Sequence, residues 1–138
     1  MLTKFPKNTY EIHWTDHVKR KMIFYGLSEQ KIRNVMRNFK RKEDGVAPNT
    51  AAFMQRNDKP KRKEEIWVMV QDRVQGIGSR VQEDSEKRKN IIERDVVLGG
   101  RSKKIIISAW RYPGVSKVRD GVPVPVDVME ELERYLNN

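Results

Sequence analysis

Two apolar runs in a highly charged chain place the strongest constraint on its fold. The segments EEIWVMVQ (64–71) and KKIIISAW (103–110) carry almost continuous large apolar side chains. Strands covered on both faces show such runs, whereas half-exposed strands alternate between apolar and polar residues. Charged residues make up 35% of the 138 residues and hydrophobic ones only 37%, so there is material for one lean core. We therefore expect both runs to be central strands of a single sheet.

The residues before the first run predict a short strand and two helices. YEIHW (10–14) alternates like a strand, and Thr15 or Asp16 can N-cap the helix after it. Gly26 suits the left-handed residue that ends this helix, and Ser28 can cap the next one. Apolar stripes of helical period support both helices: Val18, Met22 and Tyr25 in the first, and Ile32, Val35, Met36 and Phe39 in the second.

The remaining segments complete an α+β domain. After a basic turn KRKEDG (40–45), TAAFMQ (50–55) predicts a strand that joins 64–71 through a charged hairpin loop. Asp127 and Glu130 have capping-box spacing before a C-terminal helix. The apolar side of that helix is Val128, Leu132, Tyr135 and Leu136. This order predicts two N-terminal helices packed on an antiparallel sheet of three to five strands, plus a C-terminal helix.

A charged insertion at about 72–102 interrupts the predicted domain. QEDSEKRKN (82–90) predicts a solvated loop, while IIERDVVL (91–98) is compatible with a further strand that turns through Gly99-Gly100 into 103–110. We expect residues 1–119 to form one domain with this insertion, and 120–138 to form an acidic helical extension.

The net charge of +10 is unevenly distributed along the chain. Residues 120–138 contain five acidic residues and one arginine, a net charge of −4, so residues 1–119 carry +14. A field of this sign attracts polyanions and speeds their encounter. Nucleic acid is therefore the partner class that we expect. The alternative is a soluble basic protein with an acidic tail.

Several classes of chemistry lack their sequence signatures. The chain has no cysteine, which excludes disulfides and thiolate metal sites and is typical of a reducing cytoplasm. His13 and His17 fall in a predicted strand and a predicted helix, and no HExxH motif or acidic cluster accompanies them, so we expect no metal. Phosphate-binding glycine loops and Ser-triad motifs are missing too, so we expect no cofactor. No segment has the length of a membrane span, and MLTKFPKNTY lacks the apolar core of a signal peptide.

Metal-independent RNA cleavage remains compatible with the sequence because it needs few groups. A base takes the proton from the attacking 2′-OH, a cation stabilises the charge on the phosphate, and an acid protonates the leaving 5′-oxygen. His17 lies in the first turn of its predicted helix, and Lys21 is four residues later on the same face. The open alternatives are a capping or surface role for His17, a solvated helix side for Lys19–Lys21 and core packing for Tyr25.

A second candidate cluster is the segment AWRYPG (109–114), at the end of the second apolar run. Arg111, between Trp110 and Tyr112, offers a bidentate phosphate donor flanked by stacking surfaces. Side chains alternate along a strand, so both aromatics point opposite to Arg111 while the chain stays extended, and we expect at least one of them in the core. The alternative is two core aromatics and an exposed arginine.

Taken together, these segments resemble the BrnT toxins and a related family of small domains. YEIHWTDHVKRKMIFYGLSEQKI (10–32) is similar to their opening, in which a strand, a helix, a Gly-hydrophobic-Ser turn and a second helix follow one another. KIIISAWR (104–111) is similar to the BrnT strand that reads Arg-Ile-Ile-Ser-Ala-Arg-Arg. The resemblance covers about residues 10–71 and 103–112. It implies the RelE-like fold of small RNA-cleaving toxins, which are neutralised by an antitoxin encoded beside them.

By position, the resemblance marks His17, Lys21 and Arg111 as the candidate catalytic residues. The chain departs from the family pattern at three places. Trp110 stands where BrnT has the first of its two arginines, Tyr25 replaces a usually basic residue, and residues 72–102 and the acidic tail have no counterpart.

The resulting hypothesis is a cytoplasmic, metal-independent endoribonuclease of the toxin–antitoxin type that acts on RNA, including ribosome-bound mRNA. His17 would be the general base or acid, Lys21 and Arg111 would stabilise the phosphorane charge, and Tyr25 or Tyr112 would position or protonate the substrate. The candidate RNA contacts are His13, Lys19, Arg20, Arg41, Arg56 and Trp110. The alternatives are a non-catalytic module that binds nucleic acid or protein, such as a phage or mobile-element inhibitor, and an enzymatically dead relative.

Overall fold

A computed structural model describes residues 5–47, 49–75 and 101–137 of the chain. Its helices are α1 (Asp16–Tyr25), α2 (Glu29–Arg37) and α3 (Val126–Asn137), with a short 3-10 helix at Val118–Asp120. Its strands are β1 (Ile12–Trp14), β2 (Arg41–Asp44), β3 (Thr50–Arg56), β4 (Glu64–Gln75) and β5 (Arg101–Pro113).

The five strands form one sheet in the order β1-β5-β4-β3-β2. The two apolar runs lie in β4 and β5, which are neighbours near the middle of the sheet, as predicted. The α+β class, the two N-terminal helices and the C-terminal helix are confirmed. Pairing is antiparallel throughout except that β1 joins β5 in parallel, which makes the sheet mixed.

The sheet buries side chains on both of its faces, which is why its two central strands have continuous apolar sequences. The first core lies between the sheet and the N-terminal helices and includes Val18, Ile32, Val35, Val68 and Ile106. The second core lies under α3 and includes Trp67, Met69, Ile107, Trp110 and Leu132. In β4, alternate residues therefore enter opposite cores.

Both predicted ends of α1 and the predicted start of α2 are confirmed, whereas Phe39, predicted on the apolar stripe of α2, lies beyond its end at Arg37. The Thr15 hydroxyl accepts a hydrogen bond from the Val18 N–H at 3.1 Å, so Thr15 rather than Asp16 is the N-cap of α1. Gly26 ends α1 with φ +65°, in the left-handed region, where a side chain causes backbone strain. Ser28 caps α2 through the N–H of Lys31.

Two local predictions are wrong. KRKEDG was predicted as a turn, but Arg41–Asp44 forms the edge strand β2, paired with β3. Charged side chains are common on edge strands because they discourage pairing with further chains, so the missing apolar residues gave no strand signal. Asp127 was predicted as a helix cap, but α3 begins at Val126 and the Asp127 carboxylate contacts α1 instead.

The predicted loop 82–90 and strand 91–98 lie outside the described residues. The flanks of the predicted insertion belong to the sheet, because β4 and β5 remain paired as far as Gln75 and Arg101. Within the described ranges, no helix is both long enough and apolar enough to cross a membrane.

Candidate functional site

Helix α1 lies along the part of the β5 edge that β1 leaves uncovered. At its start, the Thr15 hydroxyl is 3.0 Å from the carbonyl oxygens of both Ile106 and Ile107. At its end, Arg111 Nε donates a hydrogen bond to the Tyr25 carbonyl oxygen at 2.5 Å. Successive parts of β5 therefore hold the two ends of α1, and the helix and the strand run in the same direction.

The His17 side chain, on α1, lies between β5 and α3, and the residue is only 2% exposed. Its Nε2 is 2.8 Å from Ser108 Oγ. Its Nδ1 is 3.4 Å from Glu131 Oε2 and has no hydrogen-bond partner in the described part of the chain. Burial lowers the pKa of His17 from 6.5 to about 4; Glu131 opposes this effect, while Lys21 and Arg20 add to it. His17 is therefore neutral near pH 7, a weak base rather than an acid.

Lys21 and Tyr25 are held by two carboxylates of α3. Lys21 Nζ is 2.8 Å from Asp127 Oδ2 and 2.9 Å from Glu131 Oε1, and its side chain is 5% exposed. Tyr25 Oη is 3.0 Å from both Asp127 carboxylate oxygens. Burial works against the charge of Lys21, but the two hydrogen-bonded carboxylates outweigh it and raise the pKa of Lys21. Burial, together with Asp127, also raises the pKa of Tyr25.

Arg111 joins the end of α1 to the sheet. Besides the Tyr25 carbonyl, its Nη2 donates to the Gly26 carbonyl at 3.1 Å and its Nη1 contacts Glu64 Oε2 at 2.8 Å. Carbonyl groups at a helix C-terminus lack intrahelical donors and carry partial negative charge. Three of the five guanidinium N–H groups therefore have partners inside the fold.

The aromatic neighbours of Arg111 lie on the opposite face of β5. Trp110 is 0% exposed, and its ring stacks on Trp67 with centroids 6.4 Å apart. Tyr112 is partly buried against the same second core. The expectation that at least one of the two aromatics is in the core is confirmed. The Trp110 ring is therefore closed to base stacking in this structure.

A groove of about 690 Å³ opens beside the start of α1. It brings three predicted RNA contacts, His13, Lys19 and Arg20, together with the predicted catalytic His17. Its other lining residues are Asn8, Trp14, Thr15, Asp16, Glu131 and Arg134. Both α1 and α3 contribute a carboxylate and at least one cation to its walls, so the groove has mixed charge.

Arg41 and Arg56, also predicted RNA contacts, bind inward to Glu65. Glu65 is 0% exposed. Its carboxylate accepts hydrogen bonds from Trp67 Nε1 at 2.9 Å, Ser116 Oγ at 2.7 Å and Arg56 Nη1 at 3.1 Å. Arg41 Nη1 is 3.9 Å from the same carboxylate and 2.7 Å from Ser116 Oγ. A buried carboxylate requires such partners, so both arginines stabilise the fold.

The turn between β3 and β4 carries an exposed group of cations that we call the cationic rim: Lys59, Lys61, Arg62 and Lys63. Backbone hydrogen bonds of 2.7 and 3.1 Å between Lys59 and Arg62 close the turn. Arg62 is 3.3 Å from Glu64 but its side chain is 73% exposed. Among the described residues, the three lysines take part in no ion pair.

Inner arginines bind the acids next to the rim, so within the described ranges no carboxylate lies at ion-pair distance from its three lysines. Asp58 and Glu65 contact Arg56, and Glu64 contacts Arg111. The exposed Lys40, just before β2, and Lys117, after β5, lie at the same end of the sheet. Sequence reasoning missed the rim because it interpreted these residues only as a charged hairpin loop.

The side chains of α1 that face α3, together with their partners, form what we call the α1 cluster: His17, Lys21, Tyr25, Ser108, Asp127 and Glu131. Sequence reasoning missed three of its members, Ser108, Asp127 and Glu131. The four-residue spacing of the two acids puts them on one face of α3, a signal that was available in the sequence. Ser108, His17 and Glu131 stand in the order of a Ser–His–acid relay. The Ser108 hydroxyl is fully buried, however, and a substrate carbonyl has no route to it in this structure.

The comparisons with known proteins assign no family. No protein-family model, curated protein or solved structure matches the chain. In the described part of the chain, no group of three or more His, Asp or Glu residues is arranged to hold a metal ion. Any function must therefore be argued from the α1 cluster, the groove and the cationic rim.

Proposed function

We propose that this protein acts on RNA in the cytoplasm, as a metal-independent endoribonuclease of the BrnT/RelE-like type. The cationic rim is the observation that carries the RNA part of the proposal. Its lysines are exposed and form no ion pair with another described residue, and the turn that presents them is closed by its own hydrogen bonds. Such a surface can bind phosphates without first ordering the backbone of the turn.

The candidate catalytic groups lie along α1, next to the groove. His17, Lys21 and Tyr25 follow one another on the side of α1 that faces α3. A helix rises about 1.5 Å per residue, so the Cα atoms of His17 and Tyr25 are about 12 Å apart along the helix axis. His17 would take the 2′-OH proton, and Lys21 would stabilise the phosphorane charge, with Arg111 in a positioning role at the end of α1. Tyr25 would donate a proton or hold the phosphate.

The order of elements supports the family assignment in this proposal. The resemblance implies a strand, a helix, a Gly-hydrophobic-Ser turn and a second helix. β1, α1, the Gly26–Ser28 turn and α2 follow in that order. Membership would add a cognate antitoxin as a protein partner.

A second function, RNA binding without cleavage, is favoured by the internal pairing of the catalytic candidates. Lys21 and Arg111 each bind carboxylates of the fold, and His17 has a pKa of about 4. Groups held in this way contribute to stability whether or not the protein is an enzyme. Cleavage therefore requires that α3 moves away from Lys21.

Binding is tested by the salt dependence of affinity for a single-stranded RNA. The variant K59Q/K61Q/K63Q should bind more weakly, and its slope of log affinity against log salt should fall by about 0.7 for each phosphate that the variant no longer neutralises. The matched control replaces three lysines outside the rim and the groove, Lys7, Lys103 and Lys104, by glutamine. An equal decrease of affinity in both variants would mean that net charge, rather than the rim, determines binding.

Cleavage is tested with the same RNA in EDTA, with and without ribosomes. We expect cleavage products from the wild-type chain and none from Lys21→Gln. The variant must still show a cooperative thermal unfolding transition, which shows that it is folded. RNA retarded on a gel with no products under any of these conditions would reject the endoribonuclease and leave the binding function.

A further inference from the structure

The acidic helix α3 contacts every candidate catalytic group on α1. Asp127 binds Lys21 and Tyr25, and Glu131 binds Lys21 a second time. Glu131 also lies 3.4 Å from His17. These are the groups that the proposed function assigns to the RNA phosphate and the 2′-OH.

The carboxylates have the chemistry that a phosphate would present at this place. A phosphodiester offers two anionic oxygens to a lysine ammonium and a phenol hydroxyl. The Asp127 carboxylate offers two oxygens to the same donors, one at 2.8 Å from Lys21 Nζ and both at 3.0 Å from Tyr25 Oη. A ligand phosphate and Asp127 therefore compete for one set of donors.

Few of the described side chains of α3 hold it to the rest of the fold by apolar contact. Val128 and Leu132 are the fully buried ones, both in the second core. The neighbouring acids Glu130 and Glu133 are exposed and make no ion pair with any other described residue. In the described part of α3, the polar contacts to α1 act beside these two apolar contacts.

We propose that Lys21 and Tyr25 form an anion-binding site for a phosphate group of RNA, and that α3 closes this site with its own carboxylates. The inference rests on the proposed function, because it takes RNA as the competing anion. RNA binding and α3 docking oppose each other, so α3 is an inhibitory segment. Thermodynamic linkage requires that RNA loosens α3 to the same extent that α3 weakens RNA binding at this site.

The test compares two double variants of the full chain that carry the same net charge. D127N/E131Q removes the two charges that hold Lys21, and E130Q/E133Q removes two charges from the exposed side of the same helix. Removal of a hydrogen bond between charged groups changes an equilibrium constant by about tenfold or more. We expect D127N/E131Q to bind a fluorescent single-stranded RNA about tenfold more tightly than E130Q/E133Q, and Lys21→Gln in that background to remove the gain.

Equal affinity of the two double variants would overturn the inference, whether or not any variant cleaves RNA. Higher affinity of D127N/E131Q without cleavage would support the anion site and reject the endoribonuclease. A failure of the inference about α3 can therefore be distinguished from a failure of the proposed endoribonuclease.

A measurement on the wild-type chain keeps the test open if D127N/E131Q does not fold. Hydrogen exchange of the α3 amides should become faster when RNA is added, while exchange in β3 stays unchanged. Reaction of Lys21 with an amine-modifying reagent, relative to Lys42, should be slow in the free protein. RNA that leaves α3 exchange unchanged, or slows it, contradicts the inference.

Discussion

Protonation of His17 should destabilise this protein as the pH falls below 7. The imidazole is buried between Ser108 and Glu131, and burial lowers its pKa from 6.5 to about 4. The unfolded chain therefore takes up a proton at a higher pH than the folded chain does. In that interval the unfolded state binds more protons, so the free energy of unfolding decreases as pH decreases.

The size of the effect follows from the two pKa values. At about pH 5 an unfolded histidine gains roughly 2 kcal/mol from protonation, while a histidine with a pKa near 4 gains almost nothing. At about pH 7.5 protonation of the histidine stabilises neither the folded nor the unfolded state. The His17 contribution to the decrease in stability between these pH values is thus about 2 kcal/mol, which is large against typical domain stabilities of about 5–15 kcal/mol.

Other groups around His17 act in a different pH interval. Lys21, whose pKa is raised, stays charged throughout. Hydrogen bonds from Lys21 lower the pKa of Glu131, and those from Lys21 and Tyr25 outweigh burial and lower the pKa of Asp127. Carboxylates with lowered pKa values keep their stabilising charge above the unfolded values of about 4 and lose it below them. Their contribution appears mainly below pH 5.

Urea unfolding followed by tryptophan fluorescence is a suitable assay, since Trp14, Trp67 and Trp110 are all buried. His17→Gln should lack the decrease of about 2 kcal/mol between pH 7.5 and 5, whereas His13→Gln should keep it. If wild type and His17→Gln lose stability equally with pH, the claim that burial keeps His17 neutral is refuted.

Three further substitutions test the local structure by urea unfolding at neutral pH. Thr15→Ala removes the N-cap of α1 and its contacts to β5, and should cost about 1–2 kcal/mol. Gly26→Ala should lower the free energy of unfolding by about 1 kcal/mol from the left-handed backbone alone, because an added Cβ meets no atom within 4 Å. Ser28→Ala measures the α2 cap as a comparison. Glu65→Leu should cost about 3 kcal/mol, because Arg41 and Arg56 lose a buried carboxylate; a cost below about 1 kcal/mol would show that they re-pair with solvent.

The elements that the sequence predicts correctly are those specified by neighbouring residues. A cap such as Thr15 acts on N–H groups two or three positions away, and Gly26 acts on its own backbone. The apolar runs in β4 and β5 identify strands covered on both faces without reference to any partner. These signals depend on local geometry, so they do not change with the tertiary arrangement.

The predictions that fail depend on distant pairing. Arg41–Asp44 becomes a strand because β3 offers an unpaired edge, and its own residues carry no strand pattern. The parallel contact of β1 with β5 joins segments about ninety residues apart, and alternation in YEIHW is the same for parallel and antiparallel partners.

Distant pairing limits the prediction of the candidate site even more than that of the fold. The type of a charged residue does not indicate which residue it pairs with. Arg41, Arg56 and Arg111 were predicted to contact RNA or its phosphates, yet each binds a carboxylate within the fold. Because the arginines hold those acids, the lysines of the cationic rim have no ion-pair partner in the part of the chain that the structure describes. The charge of +14 on residues 1–119 thus predicts that a polyanion binds. The binding position depends on which carboxylates are already paired with arginines inside the fold. At α1, Asp127 and Glu131 are likewise already paired with Lys21.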